Sequence, residues 1–238
     1  KTRDADTSKV QHRRVKSYVT RATRMSPLQV RALRELSPLY ADPYRDDAID
    51  PATMFWGRED RPVVLEIGFG MGHATVAIAR ANPEVNYLGV EVHKPGVGKL
   101  LSLIHKGELT NLRVIRHDAV EVVEHMIAPE TLAGVHLFFP DPWPKKRHHK
   151  RRLLQPGFLS LLCSRMKHGA VFHAATDWPE YADQILQVCE AEPELTNSVE
   201  SGFAPRPQWR PETAFERKGL AADRPIREII FRRTGSNP

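Results

Sequence analysis

From residue 62 the chain alternates short apolar runs with helical segments, five times over, and this rhythm limits the fold more than any other feature of the sequence. PVVLEIG (62–68), VNYLGVEV (85–92), NLRVIRHD (111–118), GVHLFFPD (134–141) and AVFHAATD (170–177) read as strands. HATVAIARAN (73–82), GVGKLLSLIHKGEL (96–109), AVEVVEHMI (119–127), PGFLSLLCSRMKHG (156–169) and PEYADQILQVCEAE (179–192) read as helices. The strands are apolar almost throughout instead of alternating, as expected of strands buried on both faces. The pattern predicts an α/β fold: a doubly wound, mostly parallel seven-stranded sheet with helices on both faces. ELTNSVE (194–200) and PIREIIFRR (225–233) supply the late strands, the last one antiparallel. Residues 61–238 form this domain, and residues 1–60 form a basic arm with a short helix opened by Ser26-Pro27-Leu28-Gln29, a capping box with proline in the first turn. Residues 37–60 read as a connecting loop.

In such a sheet ligands gather at the carboxyl ends of the strands. Five successive strands end in or run into an acid there: Glu66, Glu91, Asp118, Asp141 and Asp177. Acids also cap helices, a reading that is strong for Asp118 and Asp177 and weaker for Glu66 and Glu91. Glu66 directly precedes the glycine turn Gly68-Phe69-Gly70-Met71-Gly72. An acid before those glycines would oppose the pyrophosphate of a dinucleotide. It suits a cofactor with a cationic end, and S-adenosylmethionine carries a sulfonium and an amino group. Glu91, 21 residues after Gly70, is placed for the ribose hydroxyls, and Asp118 for the adenine amino group. The predicted cofactor set is therefore Glu66, Gly68, Gly70, Gly72, Glu91, Asp118 and Asp141.

Charge is unevenly spread. The net charge is +6, but residues 1–34 hold ten Lys or Arg against two Asp, and residues 145–152 hold six and no acid. Two basic blocks without bulky apolar interleaving point to nucleic acid ahead of a membrane surface; a solubilising tail and a solvated loop are the bland alternatives. No apolar run reaches the roughly 18 residues of a membrane span, and no secretory signal is visible. Cys163 and Cys189 stand far apart and read as core residues of a reduced, cytoplasmic protein. No metal site is expected: His148 and His149 are adjacent, poor spacing for two ligands of one ion, and read as partial positive charges or donors.

The second basic block follows FPDPWP (139–144). Each proline restricts its own φ and pushes the preceding residue towards extended backbone. Asp141 and Trp143 each precede a proline, so both are expected extended, with the Asp141 carboxylate held at the strand end. Trp143 offers a face for base stacking or packs the loop. Lys145, Lys146, Arg147, Lys150, Arg151 and Arg152 are expected at the rim, on phosphates.

LEIGFGMG (65–72), GVEVHKPGV (89–97), FPDPWPKKRHHKRRL (139–153), TDWPEYA (176–182) and TAFERKG (213–219) together resemble the bacterial tRNA (guanine-N7)-methyltransferases over residues 55–234. The resemblance implies a class I, Rossmann-like methyltransferase fold. It also implies methyl transfer from S-adenosylmethionine to N7 of guanine, at position 46 in the tRNA variable loop. It carries tRNA contacts onto Lys145, Asp177, Thr213, Ala214, Phe215 and Glu216, to which the basic rim adds Lys146, Arg147 and Arg151; Asp141, held at the strand end, is expected to orient the guanine and stabilise charge as the catalytic residue. From the sequence alone, Thr213–Glu216 is a loop before the last strand. A methyltransferase of an exocyclic amine or a protein side chain, and an RNA-binding module without catalysis, are the competing readings. No obligate protein partner is evident, and a monomer or weak homodimer is expected.

Overall fold

The computed structural model describes residues 15–19 and 24–234. The predicted arm, residues 1–24, lies outside the described residues apart from 15–19 and 24. At its centre is a sheet of eight strands in the order β1-β4-β3-β2-β5-β6-β8-β7. β2 (Val63–Ile67), β3 (Asn86–Val90), β4 (Leu112–Ile115), β5 (Leu132–Phe138) and β6 (Met166–Thr176) run parallel. β8 (Arg227–Arg233) is antiparallel to β6, and β7 (Leu195–Asn197) to β8. The predicted strands are all present. The eighth, β1 (Ala41–Asp42), adds an edge beside β4 from a stretch read as loop; two residues are too few for any period to show. It is tied down by Arg113, which donates to Asp42 Oδ2 (3.0 Å).

β3 and β4 lie on one side of β2, and β5 starts the other side, so strand order reverses beside β2. Open α/β sheets bind ligands at that point. Leu65, Leu88, Val135, Leu137, Phe172, Ala174, Ile229 and Phe231 of the central strands are buried in a core shared with Cys163 and Cys189. Both thiols are free, and burial pushes that of Cys163 up to about 12, which leaves it protonated and inert.

Helix α1 (Pro27–Tyr40) opens on the predicted capping box: Ser26 Oγ accepts from Gln29 N–H, and Gln29 Oε1 from Ser26 N–H. It runs well past the expected short helix because Gln29 also donates to Pro95 O (3.0 Å) and α1 lies along α3 (Lys94–Lys106). A Cβ at Gly98 would meet Gln29 O at 2.7 Å, so this contact needs glycine. α2 (His73–Ala81) and α6 (Pro179–Glu190) match the sequence reading. α5 (Pro156–Arg165) stops short of the expected Gly169: Met166–His168 already belong to β6, and Gly169 (φ +79°) sits in a bulge where β6 gains residues on β5. The segment read as a helix from Ala119 makes three α-helical residues, α4 (Ala119–Glu121), and then a π turn, Val122–Met126. The turn buries Val122, Val123 and Met126 together.

Candidate active site

The tips of β2, β3, β4 and β5 surround a cavity of about 200 Å³ that opens to solvent. Ile67, Gly68, Gly70, Glu91, Asp118 and Asp141 are among the residues lining it. Gly68, Gly70 and Gly72 all have positive φ (+75°, +58°, +74°), so the β2–α2 turn is closed to side chains that favour negative φ. A Cβ at Gly68 would meet nothing within 4 Å: here the backbone itself faces the space. α3 presses on the turn from behind, and a Cβ at Gly96 would lie 2.1 Å from Gly70 O. The glycines of HKPGVG thus let α3 approach both the turn and α1.

The acids on this side are held by nearby main chain. Glu91 Oε2 accepts from Gly70 N–H (3.0 Å), and its Oε1 from Val92 N–H (2.7 Å) and His93 N–H (2.9 Å). Asp118 Oδ1 accepts from Val120 N–H (3.0 Å), capping α4. Glu66 is different. It is buried, Oε1 accepts from Thr75 Oγ1–H (3.1 Å), and Oε2 has no hydrogen-bond partner. Burial pushes its carboxyl up to about 7. It stands beside His136 on β5, which stands beside His173 on β6, and the Nδ1 of each histidine is also unpartnered. Burial, helped by His173, depresses His136 to about 3, so that ring is neutral.

At the end of β5, Phe139 N–H donates to Ala175 O (2.7 Å) and the FPDPWP loop begins. Phe139 (φ +52°) and Trp143 (φ +46°) both adopt left-handed backbone. For Trp143 this corrects the expected extended conformation: the proline that follows penalises the right-handed region, and the loop turns by crossing into positive φ instead. Two such residues in five are strained, by about 1–3 kcal/mol each. Asp141 is exposed and lines the pocket between them. Trp143 packs the loop: its indole N–H donates to Ser17 O (2.9 Å), and Arg151 lies over its ring at 4.9 Å.

A family model described as a putative methyltransferase matches residues 60–229. The tRNA (guanine-N(7)-)-methyltransferase of Paraburkholderia xenovorans is 54% identical, over 94% of this chain and 85% of that one. Those of Methylobacillus flagellatus (53%; 93% and 92%) and Nitrosospira multiformis (52%; 93% and 96%) are similar to the same extent. This chain belongs to the tRNA (guanine-N(7)-)-methyltransferase family. Among solved structures, the 16S rRNA methyltransferase KamB has a TM-score of 0.57 at 17% identity, covering 82% of this chain and 99% of that one. An rRNA methylase from Streptococcus thermophilus has 0.51 at 13%, covering 74% and 89%. At such low identity these share the fold alone.

The remaining predicted residues of this family member fall outside the pocket lining, except Phe215. Phe215 is 55% exposed, lines the pocket, and stacks on Phe139 (6.2 Å, 18°) with Lys218 over its ring at 5.9 Å. Thr213–Glu216 is not a loop: Thr213 caps α7 (Ala214–Leu220), its Oγ1 accepting from Glu216 N–H (3.0 Å). The T-x-x-E spacing that signals such a start was present and unread. Glu216 is buried, with Oε2 on Arg210 (2.7 Å) and Oε1 on Arg206 (3.2 Å). Arg210 also donates to Glu228, which meets His173 (2.7 Å). Asp177 does not cap α6, whose first residue is preceded by Trp178; it pairs with Arg224 (2.6 Å) and packs against Gly219 of α7.

Lys145, Lys146, Arg147 and Lys150 are exposed in or beside a 3-10 turn. At His148 the expectation of a partial positive charge or a donor shifts towards the donor. Desolvation first, then Arg147, Arg151, Lys145 and Lys150, hold it below its ordinary value. Arg152 also departs from the expected rim position: it is 3% exposed. In sequence nothing marks Arg152 and Arg210 as anchors: Arg152 is one more cation in a basic stretch, and Arg210 stands in a Pro-rich loop whose residues show no period.

Proposed function

We propose that this pocket binds S-adenosylmethionine across the tips of β2, β3 and β4 and methylates N7 of guanine 46 in the variable loop of tRNA, with Asp141 as the catalytic residue. The observation that carries this is the convergence of the open glycine turn, Glu91, Asp118 and Asp141 on one cavity. The residues fit the donor. Gly68 leaves backbone open to the methionine carboxylate, and Glu66 Oε2 is a buried, unpartnered acid that a cationic amino group would satisfy. Glu91 would hold the ribose hydroxyls and Asp118 the adenine amino group. When bound, the cofactor supplies an electrophilic methyl group and leaves as S-adenosylhomocysteine.

Guanine N7 carries a lone pair and no hydrogen. Its attack forms the N7–C bond as the C–S bond breaks; the electron pair goes to sulfur, and positive charge passes to the purine. No proton moves, so no general base on N7 is needed. Asp141 instead accepts from the guanine N1–H and N2–H and stabilises the developing cation, while in-line placement supplies much of the rest. Phe215 is placed to stack on the base, and Lys145, Lys146, Arg147 and Arg151 meet phosphates, with Asp177, Thr213, Ala214 and Glu216 supporting the tRNA side. The enzyme acts in the cytoplasm as a monomer or weak homodimer; its free, buried thiols favour a reducing compartment.

The test is transfer of a tritiated methyl group to unmodified tRNA, with the labelled base identified by chromatography. Label in 7-methylguanosine, lost when G46 is replaced, is expected. Label on an exocyclic amine, or none, overturns the reading.

A further inference from the structure

We propose that Arg152 is a positioning residue for Asp141, clamping the proline loop from below, and not a phosphate contact. This deepens the reading of Asp141 as the catalytic residue and rests on it. The loop's problem is chemical. Pro140, Pro142 and Pro144 have no N–H to donate, so at these residues the chain can be held only through carbonyls. It is strained on both sides of Asp141, at Phe139 and Trp143, and strained backbone persists only where its surroundings over-determine it. Arg152 supplies that hold. Its Nε donates to Pro142 O (2.8 Å), the carbonyl immediately after Asp141.

The other arms of the guanidinium reach fixed points. One donates to Gln184 Oε1 on α6 (2.7 Å) and one meets His149 Nε2 (3.1 Å). The plane lies over the ring of Tyr181, 4.9 Å from its centre. Tyr181 is wholly buried, and its hydroxyl accepts from Leu154 N–H (3.2 Å). Gln184 in turn donates to Leu154 O (3.2 Å). The catalytic loop is thereby referred to helix α6, whose Gln184 lies 32 residues beyond Arg152 in the chain. Three directions at once from one plane is a geometry that lysine cannot reproduce. Among the described residues its ion-pair partner is Glu180, exposed and at 3.9 Å, so this cation is used more for its fork than for an ion pair.

The experiment compares Arg152→Lys and Arg152→Gln with the parent enzyme, measuring kcat at saturating tRNA and donor, the salt dependence of tRNA binding, and thermal stability. Both variants are expected to lose about 10–100-fold in kcat, the scale of a misplaced catalytic group, with the salt slope unchanged. In an Asp141→Asn background, Arg152→Lys should add little, because it acts through that carboxylate. A slope flattened by about 0.7–0.9 with kcat retained would make Arg152 a phosphate contact and overturn the proposal. So would a lower melting temperature with kcat unchanged, or full additivity with Asp141→Asn. If the Arg152 variants do not fold, Gln184→Ala removes a single arm; about threefold lower kcat at unchanged slope is expected, and no change in kcat refutes the clamp. Should Asp141→Asn itself leave kcat intact, it is the catalytic assignment that fails.

Discussion

Glu91 and Asp118, on the β3–β4 side of the pocket, are gripped by backbone N–H groups, mostly one or two residues away. On the β5–β6–β8 side the grips come from distant arginines: Arg152 on the Pro142 carbonyl, Arg224 on Asp177, and Arg210 joining Glu216 to Glu228. The first side is built by the turn itself. A cofactor of constant shape can be met by backbone that is already in place, and three left-handed glycines and an acid at the next strand tip suffice. In the proposed function the second side presents a base from a large, flexible substrate. The three prolines of its loop have no N–H to donate, and Glu216 and Glu228 would repel one another without the buried Arg210 guanidinium. Side-chain anchors of that kind resist removal because an orphaned buried charge is costly.

Perturbing each side in turn sharpens the contrast. Asp141→Asn should lower transfer at saturating substrates by about 100-fold or more, the scale of one lost electrostatic group, with donor affinity much less affected in calorimetry; unchanged transfer would erase the distinction between the sides. On the cofactor side the largest effect is expected from pH. Glu66, raised to about 7 from 4.5, keeps in the folded state a proton that the unfolded chain loses above about 4.5. Stability of the ligand-free protein therefore falls as pH rises from about 4.5 to 7 and levels off above that. Glu66→Gln should remove most of this fall, up to roughly 3 kcal/mol, in denaturant titrations at pH 5 and 7.5; an equally steep fall in the variant would refute the assignment.

Gly96→Ala should cost about 1–3 kcal/mol by overpacking and weaken donor binding, since its Cβ would run into Gly70 O; tRNA binding without donor should hardly change. The smallest effect is expected at the rim. Neutralising Lys146 and Arg147, both exposed, should flatten the log–log salt slope of tRNA binding by roughly 0.7–0.9 per contact and leave kcat nearly unaltered. A large kcat loss there would place these cations in the site rather than around it.

The same division marks how far the sequence could be read. The β–α rhythm, the acid at each strand tip and the glycine turn were legible because period and spacing are local properties. The pocket lining then followed for Gly68, Gly70, Glu91, Asp118 and Asp141. The capping box at Ser26 was equally open to reading, and the N-cap Thr213 carried the same spacing within a Pro-rich stretch. Arg152 could not be told from its neighbours, since six cations between 145 and 152 look alike until burial separates one of them. Nor could the left-handed backbone of Trp143, which its proline argued against, or the row Glu66–His136–His173, whose members lie on three separate strands.

The sequence by itself determined the layered α/β plan, the glycine turn and the acids gathered at the strand tips, because hydrophobic period and glycine conformation act within a few residues. Only the tertiary structure decided which arginine is an anchor and which is a rim charge. That choice depends on whether the fold carries a guanidinium out of water onto fixed acceptors, and those acceptors include groups on other elements, Gln184 of α6 and Glu228 of β8.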